Sequence, residues 1–252
     1  MASRRLRSDL KTFRPVLDPK WLEHTTADLK WLGERLGQVR DADVLARRFG
    51  ADAGIPADAG YDALRGRLGE GRRRATEQLT DALNSDRYLS LLDRLSAAAQ
   101  TPPIYGSGHT RDPKAEDLAR DLLPELVAEQ WKRLRRRVHK AGRTPSDRQL
   151  HRIRIASKQL RYAAEAAAAV LGKPARRTAR RAEELQSVLG EHHDAVAAVQ
   201  WLERAARNGS GSLGFTAGLL AADERRQQRH LRHRWQAAWA GVATKKSTRW
   251  LR

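Results

Sequence analysis

The sequence predicts an all-α fold made of two four-helix bundles. Alanine, leucine, arginine and glutamate dominate its 252 residues, while β-branched and aromatic residues are sparse, and this composition favours helix over strand. Apolar residues recur every three or four positions along most of the chain, which is the spacing of an amphipathic helix. Short breaks rich in glycine, proline and asparagine divide this pattern into eight segments, four in each half of the chain, as expected for paired bundles.

The first half of the chain, residues 1–100, is predicted to hold four helices. Apolar periodicity places them over residues 2–17, 21–49, 63–83 and 87–99. Prolines between Pro15 and Pro19 end the first helix. A turn-rich connection over 50–60 separates the second helix from the third. Residues 101–114, rich in proline and glycine, form a linker between the halves.

The second half, residues 115–243, is predicted to repeat this plan. Its helices run from the region of Pro124 to 140, and over 146–171, 175–207 and 213–241. Pro124 either interrupts or starts the first of them, because proline lacks a backbone donor. Ser146 or Asp147 caps the second helix, and Gly172 ends it. A basic tail follows the last helix.

Two short blocks of sequence recur in the two halves. The block ASRRLR at 2–7 aligns with ASKQLR at 156–161, an offset of 154 residues. The block LGQVRDA at 36–42 aligns with LGEHHDA at 189–195, an offset of 153. Two blocks at nearly one offset indicate a tandem duplication, which predicts two bundles related by a pseudo-twofold axis with equivalent charged helices facing a central basic groove.

Positive charge indicates what kind of partner the chain binds. Its 49 Lys and Arg residues exceed its 30 Asp and Glu residues, a net charge of +19, and such an excess attracts polyanions. DNA, RNA, an anionic membrane surface and polyphosphate are the candidates at this point. No apolar run is long enough to span a membrane and no signal peptide is visible. The absence of cysteine excludes disulfides and fits a cytoplasmic protein.

Basic residues follow a helical spacing at three places and are the candidate binding residues. The helix over 146–171 carries a row with 3-4-3 spacing, formed by His151, Arg154, Lys158 and Arg161. The first helix repeats this spacing with Arg4, Arg7, Lys11 and Arg14. A third set shares one side of its helix and comprises Arg133, Arg136, Arg137 and Lys140. Successive members of a row lie roughly 4.5–6 Å apart along the axis, so a chain of phosphates fits along each row.

Four segments resemble the CHAD domain, the conserved histidine α-helical domain. They are SRRLRSDLKTFRPVL at 3–17, LGQVRDADVL at 36–45, LHRIRIASKQLRY at 150–162 and LQSVLGEHHDA at 185–195. The resemblance covers essentially the whole chain, 1–252, as a single CHAD domain. It implies two four-helix bundles, a basic central groove that binds inorganic polyphosphate without catalysis, and association with polyphosphate granules.

The same resemblance assigns individual residues. The signature histidine is His151, followed by Arg154, Lys158 and Arg161, and in the first half the matching residues are Arg4, Arg5 and Arg7. The first-half counterpart of His151 would precede Met1, so we expect the first helix to be truncated.

Two acidic residues of the repeated block, Asp41 and Asp194, are predicted to have a structural role. A carboxylate among so many arginines orients their guanidinium groups and reduces the repulsion between them. We therefore expect both residues to pair with the basic helices, and we do not expect either to act in acid–base catalysis.

The motifs of the chain bear on enzyme, nucleic-acid-binding and scaffold functions. The chain has no cysteine, no G-x-S-x-G motif and no glycine-rich phosphate loop, so we expect no enzyme activity, no metal site and no cofactor. Nonspecific nucleic-acid binding at low salt is the main alternative, because any strongly basic protein binds nucleic acid through counterion release. A scaffold that docks acidic partners is a further alternative, and the sequence indicates no particular oligomeric state.

Overall fold

A computed structural model describes residues 2–50, 58–104, 115–207, 209 and 211–251 of the chain. Within these residues the regular structure is helical, apart from one isolated β-bridge between Leu17 and Ile104, which confirms the all-α prediction. The helices are α1 (Ala2–Thr12), α2 (Pro19–Phe49), α3 (Ala59–Leu83), α4 (Asp86–Gln100), α5 (Ala115–Ala141), α6 (Asp147–Leu171), α7 (Lys173–Arg207), α8 (Gly211–Val242) and α9 (Lys245–Thr248). No helix in the described part of the chain is long and apolar enough to cross a membrane.

The chain forms two compact units, each built from segments that are distant in sequence. The first unit comprises Met1–Glu23, Pro103–His193 and His230–Arg252. The second unit comprises His24–Pro102 and Asp194–Arg229. Each unit therefore draws on both of the halves, 1–100 and 115–243, that the internal repeat indicates, and the pseudo-twofold relation between those halves stays a prediction.

Helix α6 is central to the core of the first unit. Leu150, Ile153 and Leu160 project from one of its faces and are fully buried, together with Leu134 of α5 and Leu185 of α7. Full burial of a leucine or isoleucine side chain stabilises the fold by about 1.5–3 kcal/mol. This apolar face fixes the rotation of α6 about its axis, and so determines where its polar residues point.

Local interactions set both ends of α6, as the sequence predicts. The Ser146 hydroxyl accepts a hydrogen bond from the Gln149 N–H, and the Gln149 side chain accepts one from the Ser146 N–H at 2.8 Å. This reciprocal capping box satisfies two backbone donors that the helix itself leaves unpaired. At the other end, Gly172 has a φ of +65°, a left-handed conformation that glycine adopts without steric cost, and the chain turns there into α7.

The starts of α2, α3 and α4 follow the same capping chemistry. Side-chain oxygens of Asp18, Asp58 and Ser85 accept hydrogen bonds from the backbone three residues further on. Helix α2 therefore begins at Pro19, two residues before its predicted start, because proline suits the first helical turn. Residues 51–57 and 105–114, which make up most of the two predicted connections, lie outside the described residues.

Two predicted boundaries in the first unit are wrong. The first helix ends at Thr12, where residues 2–17 were expected to be helical, and the chain continues as a short 3₁₀ helix at Arg14–Val16. Pro124 lies inside α5 and does not interrupt or start it. A proline inside a helix costs about 3 kcal/mol, and burial of Leu123 and Val127 on either side of it offsets this cost.

The C-terminal segment is folded, although the sequence indicated only a basic tail. It forms α9 and a 3₁₀ helix at Arg249–Leu251. Leu251 is buried and Trp250 packs against the core of the first unit. The sequence pattern did not reveal this apolar anchor, because basic residues dominate the tail.

The second unit has its own apolar core and a largely buried ion pair. Phe49, Leu64, Leu202 and Leu213 are buried in the core. Arg48 of α2 donates two hydrogen bonds of 2.8 Å each to the two carboxylate oxygens of Glu224 on α8. The Glu224 side chain is 11% exposed and that of Arg48 is 26% exposed, so water screens this bidentate pair poorly.

Replacement of Glu224 tests the contribution of this ion pair. We expect Glu224→Ala to lower the free energy of unfolding by about 2–3 kcal/mol, because it removes the bidentate carboxylate from a guanidinium in a poorly solvated site. The matched control is Glu203→Ala, which removes a well-exposed partner of Arg225 and should change stability by at most about 0.5 kcal/mol. Equal losses in urea denaturation of the two variants would contradict this assignment.

Candidate anion-binding site

Every basic residue predicted to bind the polyanion lies in the first unit, on α1, the turn after it, α5 or α6. The residues of α5 lie beside one side of α6, and the His151 row occupies another side. One side of α6 lines a groove together with α5, and the other side carries the row that begins at His151. The two sides differ in how their charges are paired.

The groove between α5 and α6 has a volume of about 580 Å³. Its cationic lining residues are Arg133, Arg136, Arg137, Lys140 and Arg152. Ile155, Ala156 and Gln159 complete the lining, so five of the eight lining residues are positively charged. The sequence correctly placed four of these cations on one side of a helix, and packing against α6 turns that side into a concave surface.

Arg152 is a groove residue that the sequence prediction missed. It follows His151 directly, and a step of 100° around the helix carries it away from the His151 row and towards α5. Arg152, Ile155 and Gln159 repeat the helical 3-4 spacing on this side. That spacing was visible in the sequence, but only the position of α5 shows that it borders a groove.

The cations of the groove differ in their ion pairs. Glu129, one turn before the groove on α5, lies 3.0 Å from Arg133 Nε and 3.4 Å from Arg136 Nη2. The hydrogen bond from Arg133 is the main cause that lowers the pKa of Glu129. Among the described residues, no carboxylate pairs with Arg137, Lys140 or Arg152, and each of these side chains is exposed. These three cations are therefore available to an anionic ligand.

His151, which the family resemblance assigns as the signature histidine, contacts another histidine. Its Nδ1 atom lies 3.2 Å from Nδ1 of His193 on α7, and the ring centroids are 4.5 Å apart. Burial, reinforced by the nearby Arg154, lowers the pKa of His151. Burial, Arg154, His151 and His192 together lower the pKa of His193 to about 4. Both rings are thus neutral at pH 7, and one can donate a hydrogen bond to the other.

Three of the predicted binding cations surround one tyrosine ring. Lys158 Nζ lies 5.5 Å from the centroid of the buried Tyr162 ring, and the Cζ atoms of Arg5 and Arg161 each lie 5.8 Å from it. At these distances the ring quadrupole attracts the cations. The contacts join α1 to α6 and give these side chains a structural role.

Carboxylates neutralise the far end of the His151 row. Glu165 accepts a 2.7 Å hydrogen bond from Arg161, four residues before it on α6, and also lies 3.2 Å from Arg5 Nη2. Glu183 of α7 lies 2.9 Å from Arg161 Nη1. Two acids therefore balance these two arginines, so this end of the row is a weaker anion site than its sequence indicated.

The α1 row is also less regular than predicted. Arg4 and Arg7 are half-buried, whereas Lys11 is exposed. Arg14 lies in the 3₁₀ helix beyond the end of α1, so it does not continue the helical row. The structure thus shortens this row to its first three members.

The two acidic residues with a predicted pairing role lie in the second unit. Asp41 is exposed on α2 and Asp194 is half-buried on α7. Their pairing with basic helices stays a prediction. In the described ranges, no three histidine, aspartate or glutamate side chains are placed to hold a metal ion together.

Comparisons of the sequence and the structure with known proteins indicate the CHAD domain family. The family model of the CHAD domain matches residues 1–203. PptA from Streptomyces chartreusis is similar in structure, with a TM-score of 0.75 and 25% identity over 94% of this chain and 86% of PptA. The CHAD domain from the plant Ricinus communis is similar with a TM-score of 0.67 and 25% identity, over 95% of this chain and 78% of that domain. No curated protein matches the chain in sequence.

Asp9 gives a pH-dependent test of the contact between α1 and α6. Burial raises its pKa to about 6, with Arg5 opposing and Glu165 adding to the shift. Because the folded state holds this proton more tightly than the unfolded state, Asp9 stabilises the fold less as the pH rises from about 4 to 6. We expect Asp9→Asn to raise the free energy of unfolding by about 1–2 kcal/mol at pH 7.5 and to leave it unchanged near pH 3.5. Equal effects at both pH values in denaturant titrations would contradict the buried position of this carboxyl.

Proposed function

Because the chain belongs to the CHAD family, we propose that it binds inorganic polyphosphate, with the α5–α6 groove as the binding site. The family is associated with polyphosphate binding, and the family model covers most of the chain. The observation that carries the proposal for this site is the groove itself, in which five of eight lining residues are cations. A concave surface of this charge attracts a polyanion and surrounds it on two sides.

The chemistry of the lining residues suits phosphoryl groups. Arginine presents a planar fork of N–H donors that matches two oxygens of one phosphate, while the Lys140 ammonium acts as a mobile point charge. From Arg133 to Lys140 the groove follows α5 for about 10 Å along its axis. A linear chain with a negative charge on each phosphoryl group can therefore meet several of these cations in succession.

We propose that the protein holds polyphosphate without catalysing a reaction on it. Arginine stays protonated at all physiological pH values, so the guanidinium groups of the groove can bind phosphate oxygens but cannot accept a proton from a nucleophile. The proposed ligand also supports association of the protein with polyphosphate granules.

Nucleic acid is the competing ligand, and the positions of the aromatic residues favour polyphosphate over single strands. Single-stranded nucleic acid is commonly held by bases stacked on exposed aromatic rings. The lining residues of the groove include no aromatic side chain. Trp131 and Trp239 instead stack on each other at a centroid distance of 5.3 Å, and Phe49 stacks on Trp201 at 6.4 Å. A flexible chain of phosphates needs no such stacking surface.

Competition binding at physiological salt tests the proposed ligand and site. We expect long-chain polyphosphate to displace duplex DNA at about 0.15 M salt, where binding that rests on counterion release alone weakens. The groove variant Arg137→Gln/Lys140→Gln/Arg152→Gln should weaken polyphosphate binding by about tenfold.

The matched control removes three exposed cations of the second unit that have no ion pair within the described residues, in the variant Arg47→Gln/Arg73→Gln/Arg229→Gln. It makes the same change in net charge and should lower the affinity only slightly. If the groove variant binds polyphosphate as well as the control does, the groove is not the site. If DNA competes on equal terms with polyphosphate, the ligand is wrong.

A further inference from the structure

A second group of cations lies in the first unit, where α7 begins and the C-terminal segment folds back. We call it the terminal patch. Its residues, all exposed, are Lys173, Arg176, Arg177, Lys245, Lys246 and Arg249. Three come from the first turns of α7, and three come from α9 and the 3₁₀ helix that follows it. None of them was predicted as a binding residue, and none of them lines the groove.

Buried contacts hold the two parts of the terminal patch together. The Thr178 hydroxyl of α7, which is fully buried, donates a 2.5 Å hydrogen bond to the Ser247 carbonyl. The indole N–H of Trp250 donates to Thr178 Oγ1 at 2.9 Å. Arg177 Nη1 donates to the Lys246 carbonyl at 3.3 Å. The basic residues of the tail are thus fixed beside α7.

Charge in the terminal patch is not balanced by neighbouring acids. Among the described residues, none of its six cations forms an ion pair with a carboxylate. The adjacent Arg180 and Arg181 do, since Glu184 lies 3.6 Å from the first and 2.7 Å from the second. The first turn of α7 contains no acidic residue, so the positive end of its helix dipole adds to the repulsion. An anionic ligand at the patch would reduce this repulsion, and this reduction favours binding.

The terminal patch is far from the groove. Arg152 lies near the start of α6, while Lys173 directly follows the Gly172 turn at its end. These two residues are twenty-one positions apart, which is roughly 30 Å along a helix axis. The Debye length at physiological salt is about 8 Å, so screening makes the two groups of cations electrostatically independent. Each one can hold its own stretch of a polyanion.

We propose that the terminal patch is a second polyphosphate-binding site, and that the protein thereby bridges two polyphosphate strands or two distant stretches of one strand. This inference rests on the proposed function for the choice of ligand. Polyphosphate suits it because each phosphoryl group carries charge, so a strand held in the groove has further segments free to meet the patch. The function that follows is cross-linking of polyphosphate in addition to binding it.

Calorimetric titration with tripolyphosphate at about 0.15 M salt counts the sites, because this probe is too short to span both of them. We expect two equivalents to bind the unaltered protein and one to bind the tail variant Lys245→Gln/Lys246→Gln/Arg249→Gln. The groove variant should also bind one. The second-unit control, which is the variant Arg47→Gln/Arg73→Gln/Arg229→Gln, should bind two. The tail variant keeps Thr178, Ser247 and Trp250, and an unchanged melting temperature and tryptophan emission would show that its tail is still docked.

Light scattering with long-chain polyphosphate measures bridging directly. Unaltered protein and the second-unit control should increase scattering at sub-stoichiometric ratios, and the tail and groove variants should each lose most of this increase. A tail variant that binds two tripolyphosphates and still cross-links overturns this inference while the proposed function stands. A groove variant that keeps two sites overturns the groove assignment while the terminal patch stands. If the tail variant keeps two sites but loses binding to phosphatidylglycerol vesicles, the patch is a membrane-binding surface and the inference is wrong.

Discussion

The packing of α6 in the first unit determines where the charges of the candidate site lie. Leu150, Ile153 and Leu160 are buried along one face of the helix, and this face leaves two polar sides with different surroundings. On one side, α5 supplies the opposite wall of a basic groove. On the other side, Glu165 and Tyr162 of α6 itself and Glu183 of α7 contact the cations Arg5 of α1 and Arg161 of α6. A rotation of α6 by one residue would move the His151 row onto the groove side and push the groove residues into the core, and the buried apolar side chains prevent it.

A chain with a net charge of +19 must distribute its repulsion, and the first unit does so unevenly. Where α1, α6 and α7 meet, Glu165 and Glu183 are close to the arginines, and the pairs help to join the helices. In the groove and in the terminal patch, most cations have no carboxylate partner among the described residues. We infer that paired cations stabilise the fold and that the remaining ones hold the ligand. Their separation into different places lets one small unit do both.

Local patterns in the sequence predicted the helices well, and contacts between distant segments account for what was missed. Ser146 and Gly172 mark the ends of α6 because capping and left-handed glycine are local chemistry. The groove role of Arg152 could not be read from α6 alone, since it depends on the position of α5. The docked tail was hidden for a similar reason, because its anchor, Trp250, meets a threonine of α7 seventy-two residues away. The His151 row lies on α6 with its 3-4-3 spacing, but the contacts of its two ends, a second histidine at His151 and acids at Arg161, come from packing that the spacing does not show.

A crystal structure of the protein with bound tripolyphosphate tests the central claim most directly, since it shows which side of α6 meets the ligand. We expect phosphoryl oxygens at about 3 Å from the guanidinium groups of Arg137 and Arg152 in the groove. Ligand bound instead along His151, Arg154 and Lys158, with the groove empty, would contradict the account. It would show that the His151 row binds the polyanion in spite of its carboxylate neighbours.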